Sequence, residues 1–281
     1  MSYIGSEALV STNWLAGNIN NQNVILIDAS LPRVGVTEDT RANYRAGHIP
    51  NAIFFDIDKI ADPEATLPHM MPNETIFGSK VAELGISNDS RVIVYDQHGI
   101  YSAPRAWWMF RAFGHTNVAV LDGGLPKWKA EGRSITDIVP SIQPAQFTAN
   151  LDESLLRLAT QINQNIASEN EQVVDARSAG RYSGTDPELR PGIRSGHIPK
   201  SLNVPYDKII KDGSMIDAAK LKAAFVDGGV DLNKPITTSC GSGITACILA
   251  LGLYLNGRDD VAVYDGSWTE WGGRQDLPIE K

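Results

Sequence analysis

The sequence predicts an α/β protein built from two copies of one domain, each copy a mostly parallel sheet flanked by helices. Two observations carry this prediction. Blocks of residues recur in the same order at a nearly constant offset, and each half alternates short β-rich runs with helical patterns. YRAGHIPNAIFFD (44–56) returns as IRSGHIPKSLNVPYD (193–207), and VILIDAS (24–30) returns as VVDARS (173–178). VAVLDGGLPKW (118–128) returns as VAVYDGSWTEW (261–271), and RVIVYDQHG (91–99) pairs with PITTSCGSG (235–243). Four ordered blocks describe a duplicated domain, not a short solenoid repeat.

In the first half, 24–27, 91–95 and 118–121 read as strands. They are short and continuously apolar, as a sheet covered on both faces requires. Residues 73–84 and 103–113 read as helices, with Gly85 and Gly114 placed to end them. The second half has matching strands at 173–175, 236–239 and 261–264, and helices at 153–168, 217–226 and 245–256. Between the halves, 133–150 holds two prolines and no clear period. The expected domains are therefore 1–138 and 151–281, joined by a linker at 139–150.

Composition narrows the function. A chain of 281 residues with 42% hydrophobic and 21% charged residues has enough apolar material for a packed core. Lys and Arg number 25 against 33 Asp and Glu, a net charge of −8, and no dense basic run occurs. That argues against nucleic acid or an anionic membrane as partner. The opening MSYIGSEALV lacks a basic segment followed by an apolar stretch, and the longest apolar run, 246–255, is too short to cross a bilayer. Two cysteines provide no disulfide framework, and no spacing of Cys or His suggests a metal. The expectation is a cytoplasmic protein needing no cofactor.

Cys240 follows a strand, and Gly241, Ser242 and Gly243 then lead into a helix opening near Thr245. A strand, glycine loop and helix start turn successive backbone N–H groups inward and make a cradle for an anion such as a thiolate. Gly241 and Gly243 permit the tight curvature. Cys247 lies inside the apolar run TACILALGLYL, where core packing is the simpler reading.

DARSAGRY, SGHIP, CGSGIT and DGSWTEW, with degenerate partners in the first half, resemble the tandem rhodanese-domain sulfurtransferases over essentially the whole chain. The CGSG loop is similar to that of the 3-mercaptopyruvate sulfurtransferases, since thiosulfate-using rhodaneses carry basic side chains just after the cysteine. The resemblance implies that Cys240 takes sulfur from 3-mercaptopyruvate, releases pyruvate and passes the sulfur from a persulfide to a thiol (a thioredoxin or a small thiol) or to cyanide. It also implies that Arg181 and Arg190 bind the substrate carboxylate, beside the loop residues Gly241, Gly243, Ile244 and Thr245. Arginine suits a carboxylate because it donates two coplanar hydrogen bonds. Arg177, directly after a strand, reads instead as half of a structural ion pair with Asp175.

The resemblance further implies a proton relay of Ser242, His48 and Asp39. A second reading competes for His48: its GHIP motif recurs at His197, and a residue kept in both copies suits a role in the fold. Asp96 stands where the first half would need a cysteine. A carboxylate forms no stable persulfide, so the first loop is expected to be inert and to serve as the opposite wall of a cleft. Trp107 and Trp108 are expected in the core, and His69 in a solvated loop.

Three other readings remain. A thiosulfate sulfurtransferase would share nearly all these features. A cysteine phosphatase needs arginine at the end of a C-x5-R loop, where this chain has Ala246. A non-catalytic binding module would have no need of Cys240 in an intact loop.

Overall fold

The structure, a computed structural model, describes residues 2–281. The first half folds around five strands: β1 (Leu9–Val10), β2 (Val24–Asp28), β3 (Ile53–Phe54), β4 (Arg91–Tyr95) and β5 (Val118–Leu121). They lie in the order β1-β5-β4-β2-β3, every neighbouring pair parallel. The second half repeats this with β6 (Leu156–Arg157), β7 (Gln172–Asp175), β8 (Leu202–Asn203), β11 (Ile236–Ser239) and β12 (Ala262–Tyr264). Its order, β6-β12-β11-β7-β8, is the same pattern and again all parallel. The central strands β4 and β11 are buried almost end to end; β4 accordingly reads as an apolar run, while β11 is Ile-Thr-Thr-Ser and owes its reading to β-branched residues and to its place opposite β4 in the repeat.

The helix expected at 153–168 is a correction. A 3-10 turn at Glu153–Leu155 leads into β6, and the helix itself is Ala159–Ser168. The Leu158 N–H donates to Gln161 Oε1 at 2.8 Å and so fixes the later start. β6 pairs with β12, and Ser6–Ala8, β1 and helix Thr12–Asn18 repeat the arrangement in the first half. The other helices start and stop close to expectation. Gly85 (φ 75°) and Gly114 (φ 83°) follow Leu84 and Phe113, the C-caps of helices Glu74–Glu83 and Ala103–Ala112, in the left-handed conformation that favours glycine.

The second half adds a hairpin, β9 (Ile210–Lys211) and β10 (Ser214–Met215), around Asp212 and Gly213 at φ 51° and 77°. Positive φ at both turn positions marks the tight turn that Asp-Gly favours. The hairpin reaches across to the first half, where Met215 N–H donates to Asp122 Oδ1 at 3.0 Å.

Helices Ala103–Ala112 and Ala246–Leu255 pack on each other across the junction, so one apolar cluster runs through both halves. Trp107 and Trp108 are in it, as expected. Each fully buried Leu or Ile contributes about 1.5–3 kcal/mol relative to exposure, and helix Ala246–Leu255 carries several. The connecting chain lies against the first half. Phe147 packs on Phe77 and Phe110, and Thr148 exchanges hydrogen bonds with Asn88. Among the described residues no helix is long and apolar enough to cross a membrane.

Candidate active site

Parallel sheets place loops and helix N-termini together beyond the C-terminal ends of their strands, and Cys240 occupies that position directly after β11. It is 1% exposed and lines a cleft of about 460 Å3 between the two halves. Arg33, Val34, Val36 and Tyr101 form the wall from the first half, while Arg181, Tyr206 and the Cys240 loop form the other.

The loop is held by the DGSWTEW segment. Ser267 Oγ accepts the Cys240 N–H at 3.1 Å, donates to Tyr264 O at 2.8 Å and lies 4.0 Å from the thiol sulfur. Trp268 N–H donates to Cys240 O at 2.9 Å. Thr269 gives both its N–H and its hydroxyl to Gly241 O, at 2.8 and 2.6 Å. Ser267 achieves this at φ 48°, a conformation costly for a residue with a side chain.

Arg181 and Arg190 converge above the same loop. A methyl placed on Gly241 would lie 3.3 Å from Arg181 Nη2 and 3.9 Å from Arg190 Nη1, so glycine leaves the guanidinium groups close access to the loop. Arg181 pairs with Glu188 at 2.6 Å, and Arg190 reaches Thr269 Oγ1 at 3.3 Å and Ser242 Oγ at 3.4 Å. Arg177 is in the expected ion pair with Asp175 at 2.7 Å and has a second partner in Glu188, also at 2.7 Å. Burial opposes its charge, but the Asp175 and Glu188 carboxylates outweigh burial and raise its pKa. Tyr101 faces Cys240 across the cleft. Burial pushes its phenol up to about 12, so at neutral pH it stays a hydrogen-bond donor.

The Ser242, His48 and Asp39 relay is not assembled. Asp39 caps helix Thr40–Ala46, its carboxylate accepting the Ala42 N–H at 2.9 Å. His48 is fully buried, stacked on Tyr44 with Nδ1 2.7 Å from Tyr44 O. Ser242 Oγ has Arg190 as its side-chain neighbour instead. His69 departs from its expected place, and Cys247 keeps its own. His69 is bound to the Asp58 carboxylate and only 15% exposed at its side chain. Cys247 is packed in the core yet has polar company, its thiol donating to Gly243 O at 3.3 Å.

The first loop shows what the fold does with an anion. Asp96 is fully buried, and its Oδ2 accepts N–H groups from Tyr101, Ser102 and Ala103 at 2.8, 2.9 and 2.9 Å. Its Oδ1 accepts the His98 N–H at 2.9 Å. Burial raises the Asp96 carboxyl pKa while those amide bonds hold it down. This cradle is filled by the protein's own carboxylate.

A buried thiol on the loop after a central parallel strand, lining an interdomain cleft with two guanidinium groups beside the loop, is an arrangement suited to covalent chemistry on a small anion. Rhodanese-like domains match residues 11–131 and 158–274. The chain belongs to the rhodanese-like family, as a tandem of two such domains. It is 44% identical over 274 residues to mouse 3-mercaptopyruvate sulfurtransferase, covering 94% of this chain and 92% of that one. It is 46% identical over 273 residues to rat thiosulfate sulfurtransferase, with the same coverage of 94% and 92%. Among solved structures, SseA of Escherichia coli, a 3-mercaptopyruvate sulfotransferase, superposes with a TM-score of 0.85 at 36% identity, over 93% of this chain and 98% of that one.

Proposed function

We propose that this sulfurtransferase takes sulfur from 3-mercaptopyruvate by way of a persulfide on Cys240. The observation that carries the choice of donor is the convergence of Arg181 and Arg190 above Gly241, beside the thiol, where they suit the carboxylate of a keto acid. The Cys240 thiolate attacks the substrate sulfur. The carbon–sulfur bond breaks, its electron pair passes to carbon as the enolate of pyruvate, and a proton completes pyruvate. The Ser242 hydroxyl, 5% exposed and next to Arg190, is the loop group suited to hand over that proton.

The outer sulfur then stays with Cys240 until an acceptor thiolate or cyanide attacks it and frees the first thiolate. The register of Asp96 supports a specific holder for it: by equivalence with His98, Tyr101 and Ser102, the amides of Ser242, Thr245 and Ala246 surround the sulfur. Gly241, Gly243 and Ile244 complete that loop. In this reading residues 1–138 are an inert partner domain, 139–150 the linker and 151–281 the catalytic domain, and the enzyme works in the cytoplasm without a cofactor. One relative, 41% identical and from Arabidopsis thaliana, is mitochondrial.

Thiosulfate is the rival donor, favoured by the 46% identity to the rat enzyme. The residues after Cys240 favour mercaptopyruvate, because Gly241 and Ser242 leave no cation inside the loop for a sulfonate-like group. Turnover with each donor decides: kcat/KM is expected to be higher for mercaptopyruvate, and the reverse order reassigns the enzyme to thiosulfate. Phosphatase chemistry lacks support, since Ala246 is buried in the first turn of its helix where arginine would be required.

A further inference from the structure

Where the two halves differ is informative, because they share one fold. Asp96 stands opposite Cys240, and by the same register Arg105 stands opposite Leu249; each of the latter two is fully buried in one of the paired helices. Each half also braces the other. Met215 N–H donates to Asp122 at 3.0 Å, and Met71 N–H donates to Asp265 Oδ2 at 2.7 Å. On the Asp122 side the added charge in contact among the described residues is Lys127, half-exposed, at 3.0 Å.

On the Asp265 side a buried arginine is added. Arg105 Nη1 lies 2.7 Å from Asp265 Oδ1 and donates to Gly243 O at 3.2 Å, and Nη2 donates to His69 O. Gly243, at φ 76°, makes room for this. A methyl there would lie 2.7 Å from Asp265 O and 3.0 Å from Arg105 Nη1. Asp265 in turn begins the turn whose Ser267 hydroxyl receives the Cys240 N–H. The chain of contacts runs unbroken from the first domain to the nucleophile.

A buried ion pair is a poor device for stability, because desolvation offsets most of the attraction. Leu249 shows that an apolar side chain packs at the equivalent place in the other helix. Stability therefore gives a weak reason for Arg105, and its contacts with the Cys240 loop at Gly243 and with Asp265, at the start of the turn that holds that loop, give a better one. We propose that Arg105, supplied by the domain without a nucleophile, is a positioning residue for sulfur transfer: through Asp265 and the Gly243 carbonyl it sets the loop around Cys240. The proposal rests on Cys240 being the sulfur carrier.

The test measures single-turnover persulfide formation, as released pyruvate, with melting curves, in Arg105→Lys and in the double variant Arg105→Leu with Asp265→Asn. The double variant copies Leu249 and leaves no unpaired buried charge. Lys127→Met, which removes the ion pair on the opposite side, is the control. Both test variants are expected to fold and to form persulfide at least about tenfold more slowly at saturating donor, with KM within about threefold of wild type, since misplaced reacting groups lower the chemical step. The control should react at the wild-type rate. A wild-type rate in either folded test variant, a loss confined to KM, or an Arg105→Lys protein that does not fold would each overturn the positioning role. Absence of persulfide in the wild-type protein would instead overturn the Cys240 reading.

Discussion

His48 and His197 clamp the chain leaving their own domains. Each stacks on a tyrosine, Tyr44 at 4.0 Å and Tyr182 at 3.9 Å, and each places Nδ1 on that tyrosine's carbonyl. Each also exchanges two backbone hydrogen bonds with the exiting segment, His48 with Thr136 and His197 with Glu280. A residue doing the same work in both copies has a role independent of Cys240, which only one copy contains.

His48→Phe follows from this. Phenylalanine keeps the stack on Tyr44 and removes the one side-chain hydrogen bond, so stability should fall by about 1 kcal/mol. Because the ring can no longer carry a proton, turnover is the informative readout, and kcat with mercaptopyruvate is expected to stay within about threefold of wild type. A kcat at least about tenfold lower in a protein that melts normally would restore the relay.

Arg181→Ala and Arg190→Ala test carboxylate binding. Glu188 keeps Arg177 as a partner when Arg181 is removed, so the fold should persist. Loss of a charged hydrogen-bond donor should raise KM for mercaptopyruvate by about tenfold or more, and KM for thiosulfate by less. Equal increases for the two donors would count against a carboxylate site.

Asp28 gives the stability a defined pH dependence. The residue is fully buried, and burial pushes its carboxyl from 3.8 up to about 6, against the hydrogen bonds from Ser30 and Gln97. The folded protein therefore holds this proton more tightly than the unfolded chain. The resulting stability is fully present below about pH 4 and is lost as pH rises through about 6. Relative to Asp28→Asn, the wild-type protein should gain on the order of 3 kcal/mol between about pH 7 and pH 4 in urea titrations. Parallel pH profiles for the two proteins would remove Asp28 from the account.

The sequence revealed the elements that are continuous and buried, and missed those defined by partners far along the chain. β4, β5 and β11 read correctly because both faces are covered, while the edge strands β1, β3, β6 and β8 are two residues each and show no period. Asp212-Gly213 is a hairpin signal in the sequence, but its flanking strands are equally short and show no alternation to support it. At the candidate site, Cys240 stands in a local motif of the sequence, and Arg181 and Arg190, proposed from the family resemblance, lie beside the same loop. Ser267, Thr269 and Asp265 were inside a recognised repeat, but their work depends on the positive φ at Ser267 and on a turn that folds back onto the loop. Arg105, within APRAWWMFRA, and the cleft residues Arg33, Tyr101 and Tyr206 became visible once the two halves were brought together.

The most direct test of sulfur transfer is mass spectrometry of the reduced, folded protein after brief exposure to 3-mercaptopyruvate. One added sulfur, about 32 Da, should map to the peptide containing Cys240. It should be absent from Cys240→Ser and unchanged in Cys247→Ser, whose native thiol burial pushes well above its ordinary pKa. An unmodified Cys240, or an added sulfur found on Cys247 instead, would contradict the account.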